Sequence, residues 1–277
     1  MKRLLSIEFQ KIWKNKASRI LTLTYFILLS LIALIASYKF EIGSFKLHFA
    51  EMGIFNFPYI WHFNTYIADF FKFFLAVVIV SMMANEYSNG TLKQNLIDGM
   101  SKKEFIMSKF LMVVMLSLAS TAFVFIMSLI LGLYFSSYNE ADVIFMQMDY
   151  LLAFFVKLVG FFSICLFLGI LIKRSAFALG FLIAWYIGEM MTYGTMNSPD
   201  YGKGFADRVS AYFPLISNMN LIVEPFTRLS TIQNMQTAIG VTEAKDYTVH
   251  LSSYLIALSW TVIFMLSSYL LLKKRDL

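Results

Sequence analysis

Apolar residues run almost unbroken through six stretches of this chain, near Arg19–Tyr38, Tyr66–Ala84, Phe110–Ser136, Tyr150–Ile172, Ala176–Thr195 and Leu251–Leu272. About 20 residues of helix cross about 30 Å of hydrocarbon, so each stretch is long enough to span a bilayer. Ahead of them, Leu5, Phe9, Ile12 and Trp13 recur at helical spacing, with Lys2, Lys11 and Lys14 largely opposite. That pattern predicts a basic amphipathic helix over residues 1–18, lying on the membrane surface with Trp13 near the headgroups. A signal peptide would have a shorter basic region and a better cleavage site than Ala33-Leu34-Ile35-Ala36. The chain therefore reads as an all-α integral membrane protein: one interfacial helix, then six transmembrane helices within residues 19–277.

Between the second and third stretches, at residues 85–109, the pattern turns polar. Thr91-Leu92-Lys93-Gln94 fits a capping box and Ser101-Lys102-Lys103-Glu104 fits another, while Gly99 stands where a left-handed stop would end the first helix. A helix over Leu92–Asp98 would be about two turns, roughly 10 Å long. Leu92 and Leu96 would share one face, with Lys93 and Asn95 turned elsewhere. A second helix then starts near Lys102 and runs straight into the third span. No span needs this short helix, and it is shaped to be gripped from outside the bilayer. The other reading is an amphipathic loop resting on headgroups.

Composition agrees with the pattern. Hydrophobic residues make up 59% and charged ones 14%, against about 25% charge in a soluble domain. The charges are unevenly placed. The N-terminus, the loop of residues 85–109, Lys173-Arg174 and the C-terminus together hold 15 of the 23 basic residues. The positive-inside rule then puts both termini and the short helix in the cytoplasm of a multi-pass protein of the cell inner or plasma membrane. The net charge of +6 follows from this asymmetry and does not point to nucleic acid. The external segments are then residues 39–65, 137–149 and 196–250. The first is rich in aromatics (Phe40, Phe45, Phe49, Phe55, Phe57, Tyr59, Trp61, Phe63) and reads as an interfacial lid or re-entrant segment. The last has apolar residues between Tyr212 and Ile239 that suggest short helices packed on the membrane face.

Several chemistries are absent from the sequence. There is no G-x-x-x-x-G-K-[ST] phosphate loop, so the chain is not expected to bind ATP or to be an enzyme. His48, His62 and His250 are scattered through external segments and read as solvated or interfacial. The single cysteine, Cys165, reads as a small core residue, and no disulfide within the chain can form. Asn89-Gly90-Thr91 matches a glycosylation sequon but falls on the cytoplasmic side.

Three stretches carry a family resemblance. Leu5-Ser6-Ile7-Glu8-Phe9-Gln10-Lys11 with Asn15-Lys16 is similar to the amphipathic N-terminal helix of ABC-2 type permeases. Glu86-Tyr87-Ser88-Asn89-Gly90-Thr91-Leu92-Lys93, then Gly99, Ser101, Lys102, Phe105, Ser108 and Lys109, resembles that family's cytoplasmic loop. Leu272-Lys273-Lys274-Arg275-Asp276-Leu277 resembles its common ending, and the topology matches along the whole chain.

The resemblance implies that the short helix is a coupling helix docking in a groove of a separate ATPase. Glu86, Tyr87, Gly90, Thr91, Leu92, Lys93, Leu96, Gly99, Ser101, Lys102 and Phe105 are its candidate coupling residues. Leu5, Glu8, Phe9, Ile12 and Trp13 belong to the interfacial helix. It further implies half of a translocation pathway, completed by a second permease, identical or a sister chain, with two ATPase copies carrying ATP and Mg²⁺, all among membrane lipids. No metal or other cofactor is expected on this chain. The cargo suggested by the aromatic, weakly charged spans is amphipathic or hydrophobic: a lipid, peptide or drug.

Charges within spans cost about 2.5–3.5 kcal/mol each at mid-helix, which makes them functional suspects. Glu189 adjoins Ala176, Gly180, Ala184 and Gly188, a four-residue repeat of small side chains on which another helix can pack closely. That strip is a candidate pathway or dimer seam, with Glu189 lining it or pairing with Lys157 or Lys72. Asp69 and Lys72 read as a local pair. Two rival readings remain from the residues. An ATP-independent carrier or channel would show paired acids or helix-breaking Gly and Pro at mid-membrane, whereas Pro58, Pro199, Pro214 and Pro225 all lie outside the spans. A non-transporting membrane partner of an ATPase, in a mechanical or immunity complex, would keep the coupling helix.

Overall fold

The computed structural model describes residues 2–38, 40–42, 45–47, 52–138, 140–198, 201–202, 204–229, 232–233, 236 and 245–275. Lys39, His48, Phe49, Pro199, Lys203, Ile239, Asp276 and Leu277 lie outside the described residues. The chain opens with α1 (Lys2–Lys14) and breaks at Asn15, whose side chain accepts from the Ser18 N–H at 3.1 Å and so caps the first span, α2 (Lys16–Ser37). A small antiparallel hairpin follows, β1 (Phe40–Ile42) against β2 (Phe45–Leu47), with Glu41 opposite Lys46.

The second span, α3 (Tyr59–Ser88), starts about two turns earlier than the apolar run suggests. Pro58 marks its boundary, and three of the aromatics read as a lid, Tyr59, Trp61 and Phe63, lie in its first turns instead. Trp61, Asn64 and Thr65 of these turns find partners inside the protein. Trp61 Nε1 donates to the Ile144 carbonyl at 2.8 Å, Asn64 to the Ser128 hydroxyl at 2.8 Å, and Thr65 back to the Trp61 carbonyl at 2.7 Å. His62 is buried as well, contrary to the solvated reading. Its ring stacks on Tyr150, donates from Nε2 to the Val223 carbonyl at 2.7 Å and accepts at Nδ1 from Arg228 at 3.1 Å.

Then come α4 (Thr91–Ile97), the third span α5 (Lys102–Phe135), a single turn α6 (Ala141–Ile144) and the fourth span α7 (Asp149–Ile172). Apolar on every side, α7 is the centre of the bundle and packs against α3, α5, the fifth span α8 (Ser175–Met196) and the sixth, α11 (Leu251–Lys274). Among the described residues, six helices are thus long and apolar enough to cross a membrane. Hydroxyls inside the bundle bond back along their own helices, Ser117 to Val113, Ser163 to Val159 and Thr261 to Ala257. In that way each satisfies its own polar group where no water reaches it.

Between α8 and α11 lie α9 (Phe205–Ser210), α10 (Pro214–Met219) and a 3₁₀ turn at Phe226–Arg228. Short helices are there as predicted, but α10 does not rest on the membrane face. Leu215, Ile216, Ser217 and Asn218 are buried, and the helix sits against α7, α8 and α11. Gly160 makes this insertion feasible: a Cβ there would come within 2.8 Å of the Asn218 amide nitrogen.

Candidate functional site

With six spans, the termini and α4 share one end of the bundle. There α4 is fixed at both ends by backbone geometry. Gly90 (φ 67) precedes it and Gly99 (φ 96) follows it, both left-handed. The Met100 N–H donates to the Asn95 carbonyl at 3.0 Å and the Gly99 N–H to the Leu96 carbonyl at 3.2 Å, the paired bonds of a Schellman stop. The Ser101–Glu104 capping box forms as expected, with Glu104 N–H donating to the Ser101 hydroxyl at 3.2 Å and Ser101 N–H to the Glu104 carboxylate at 2.9 Å.

The Thr91–Gln94 box does not form. Gly90 stands at the cap position without a side chain, and the Thr91 hydroxyl donates instead to the Glu86 carboxylate at 2.5 Å. Thr91 is thus the first helical residue and not the cap, so its hydroxyl is not placed to accept the capping N–H. Gln94 turns to Asp98 at 2.9 Å.

The expected docking knob is also inverted. Leu92 is only 2% exposed within the core, and Leu96 packs against that core from a half-buried position. Lys93, Gln94 and Asp98 face outward, and between them Ile97 is 71% exposed. Phe105 is fully buried beneath the helix.

Under α4 lies a cluster of charges. Fully buried Lys109 of α5 donates to Glu8 of α1 at 2.6 Å and to Glu86 of α3. Lys11 donates to Glu86 at 2.7 Å and reaches Glu8 at 3.4 Å. Burial pulls the Lys11 ammonium down, but the Glu86 hydrogen bond and both carboxylates outweigh it and hold it above its ordinary value. Two acids and two lysines balance, so the cluster holds no uncompensated charge. It ties α1, α3, the first residue of α4 and α5 into one unit. A second tie comes from the C-terminus. Lys102 donates to the Arg275 carbonyl at 2.9 Å. The Arg275 guanidinium in turn bonds the Tyr87 hydroxyl at 3.1 Å and the Leu171 carbonyl at 3.0 Å.

Of the predicted coupling residues, therefore, Glu86, Tyr87, Thr91, Leu92, Lys102 and Phe105 form the mount, and Leu96 is half in it. Gly90 and Gly99 set the ends, and Ser101 caps the next helix. Only Lys93 among them faces fully outward on α4 itself. Sequence reasoning missed Ile97 as the exposed apolar residue and Lys11, Lys109 and Arg275 as structural partners. A signal existed for one of these. Glu86 and Lys109 are opposite charges at matching depth, on the ends of consecutive spans.

On α1, Phe9 (53% exposed) and Trp13 (44%) lie on the outer surface, with their rings stacked at 6.1 Å. Leu5, Glu8 and Ile12 face the bundle, so the single apolar face splits into two. On α8, Ala176, Gly180, Ala184 and Gly188 are all exposed, and added Cβ atoms at Gly180 and Gly188 would meet nothing within 4 Å. Glu189 pairs with neither lysine. Its carboxylate accepts from the Leu215 N–H at 3.1 Å and the Ile216 N–H at 2.9 Å, capping α10. Lys72 and Lys157 turn instead to Asp69, at 2.8 and 3.1 Å.

At the terminal end, α4 is thus a short helix exposed on one face and tied through Thr91 and the charge cluster to α1, α3 and α5. A family model described as ABC-2 family transporter protein matches residues 4–188, from α1 through most of α8. No curated protein matches the chain.

Proposed function

This chain belongs to the ABC-2 transporter family, and from that premise we propose that it is the permease of an ATP-driven exporter, moved by a separate ATPase that docks on α4. The observation that carries the reading is α4 itself, with Ile97 exposed between Lys93, Gln94 and Asp98 on a mount of buried charges. A coupling element must be stiff, so that displacement is transmitted rather than absorbed. The Schellman bonds that close α4 and the Glu8–Lys109–Glu86 cluster supply stiffness. An apolar residue ringed by polar ones is the anatomy of an interface centre and its rim.

In this reading ATP and Mg²⁺ sit on the partner, and its closure pushes α4 and, through Glu86 and Lys109, the spans α3 and α5. The basic terminal end faces the cytoplasm of a cell inner or plasma membrane. The bare strip Ala176–Gly188 on α8 packs against a second permease, and two ATPases serve the pair. The cargo is amphipathic or hydrophobic.

The test is to extract the tagged chain gently from its native membranes and identify co-purifying proteins by mass spectrometry. A stoichiometric phosphate-loop ATPase is expected, and it should be lost with Ile97→Asp while the chain stays monodisperse. Leu92→Asp should instead lower the folded yield. An intact six-span chain with no ATPase would overturn the reading in favour of an ATP-independent carrier.

A further inference from the structure

A cavity of about 650 Å³ lies between α3, α7, α8 and the segment around α10, at a distance from the α4 end. Its floor holds three buried charges, Asp69, Lys72 (3% exposed) and Lys157 (1% exposed). Lys72 gives two bonds to Asp69, at 2.8 and 2.9 Å, and sits 4.5 Å over the Phe161 ring. Lys157 reaches Asp69 at 3.1 Å and donates to the Met219 carbonyl at 2.9 Å. An ammonium has three donors, so these partners exhaust neither lysine. At the rim, Glu224 and Lys245 cancel each other at 2.7 Å. Among the described residues the cavity therefore keeps one unbalanced positive charge inside the apolar bundle, where such a charge is costly.

The rest of the wall is apolar and aromatic, and it opens sideways. Phe70, Phe73 and Ile183 line the cavity yet are 59%, 49% and 54% exposed, so the mouth lies on the flank of the bundle between α3 and α8. The bilayer's acyl chains would meet that flank.

We propose that this cavity binds an anionic membrane amphiphile: one negatively charged headgroup between Lys72 and Lys157, with its apolar tail leaving past Phe70, Phe73 and Ile183. A single negative charge balances the cavity, and the free lysine donors match phosphate or carboxylate oxygens. A zwitterionic head would bring its own cation against two lysines. Volume and lining fall in the usual range for ligand pockets, about 300–1,000 Å³ and mostly apolar with few convergent polar groups. The site concerns this chain alone and does not depend on an ATPase.

The experiment is native mass spectrometry of the full chain in nonionic detergent, offered equal amounts of phosphatidylglycerol, phosphatidylcholine and oleate. Phosphatidylglycerol, oleate or both should be retained at least about tenfold over phosphatidylcholine, roughly the worth of one charge-assisted hydrogen bond. Which of them is retained tells a phosphate head from a carboxylate. Lys72→Gln leaves Asp69 and Lys157 as a neutral pair and should remove that preference, whereas exposed Lys274→Gln should not. The retained ligand, carrying a diazirine in its tail, should label peptides containing Phe70, Phe73 or Ile183. Equal retention of phosphatidylcholine, a preference unchanged by Lys72→Gln, or labelling only elsewhere would overturn the proposal.

Discussion

The ammonium of Lys109 lies 2.6 Å from the carboxylate of Glu8, joining a helix ahead of the first span to the first turns of the third. Glu86 and Lys11 complete the cluster, and the hydroxyl of Thr91 hangs α4 from it. The amphipathic helix and the proposed docking helix are thus joined to α3 and α5 through one set of side-chain bonds.

Lys109→Met should be severely destabilising, since it leaves two buried carboxylates sharing Lys11. Removing one partner of a buried pair costs about 3–5 kcal/mol. The paired change Glu8→Gln with Lys11→Gln keeps Glu86 and Lys109 balanced and should cost clearly less. Thermal unfolding in detergent checks both; an unmoved midpoint for Lys109→Met would contradict the role given to the cluster.

On α8, Gly180→Leu with Gly188→Leu should leave the isolated chain folded, because no neighbour lies within 4 Å of either added Cβ. Close helix approach needs small residues, so the double variant should lose association between permeases. Mass photometry in nanodiscs would show this as a shift to single copies. Unchanged assembly would move the seam elsewhere.

What the sequence made legible follows periodicity and special backbone positions. The six spans, the Ser101–Glu104 box and the Gly99 stop are local patterns, and they appear as read except that α3 starts at Tyr59. The inversion of α4 was not legible. Leu92 and Leu96 do share a face, but only tertiary packing decides whether that face meets a partner or the chain's own core. Thr91 is not the cap because the helix starts one residue earlier than its side-chain pattern suggests, with Gly90 at the cap position. Glu189 was read as lining a pathway or pairing with Lys157 or Lys72, whereas its partners are backbone N–H groups 26 and 27 residues away, which no side-chain pattern announces.

Glu189→Gln keeps an oxygen for those N–H groups and should leave stability nearly unchanged. Glu189→Leu strands both in the buried interior, at about 1–3 kcal/mol each. Hydrogen exchange at Leu215 and Ile216 should accelerate in the leucine variant and not in the glutamine one. Equal exchange in both would refute the capping role.

On the face opposite the termini, Asp246 accepts from the Thr248 hydroxyl and N–H and from His250, which hold its carboxyl down from 3.8 to about 2. A depressed acid contributes to its turn above its unfolded value, and that contribution fades as pH falls from about 4 through about 2. A carboxyl NMR titration should place the Asp246 midpoint near 2, and Thr248→Val should raise it. A midpoint at the ordinary value in the unaltered protein would show that the turn does not hold in solution.

The central claim, that the outer face of α4 docks an ATPase, is tested most directly by a photo-crosslinking residue at position 97 in native membranes, with one at exposed Tyr212 on the opposite face as reference. The account predicts that position 97, and not position 212, captures a protein carrying a phosphate loop. Capture of lipid alone at position 97 would contradict it.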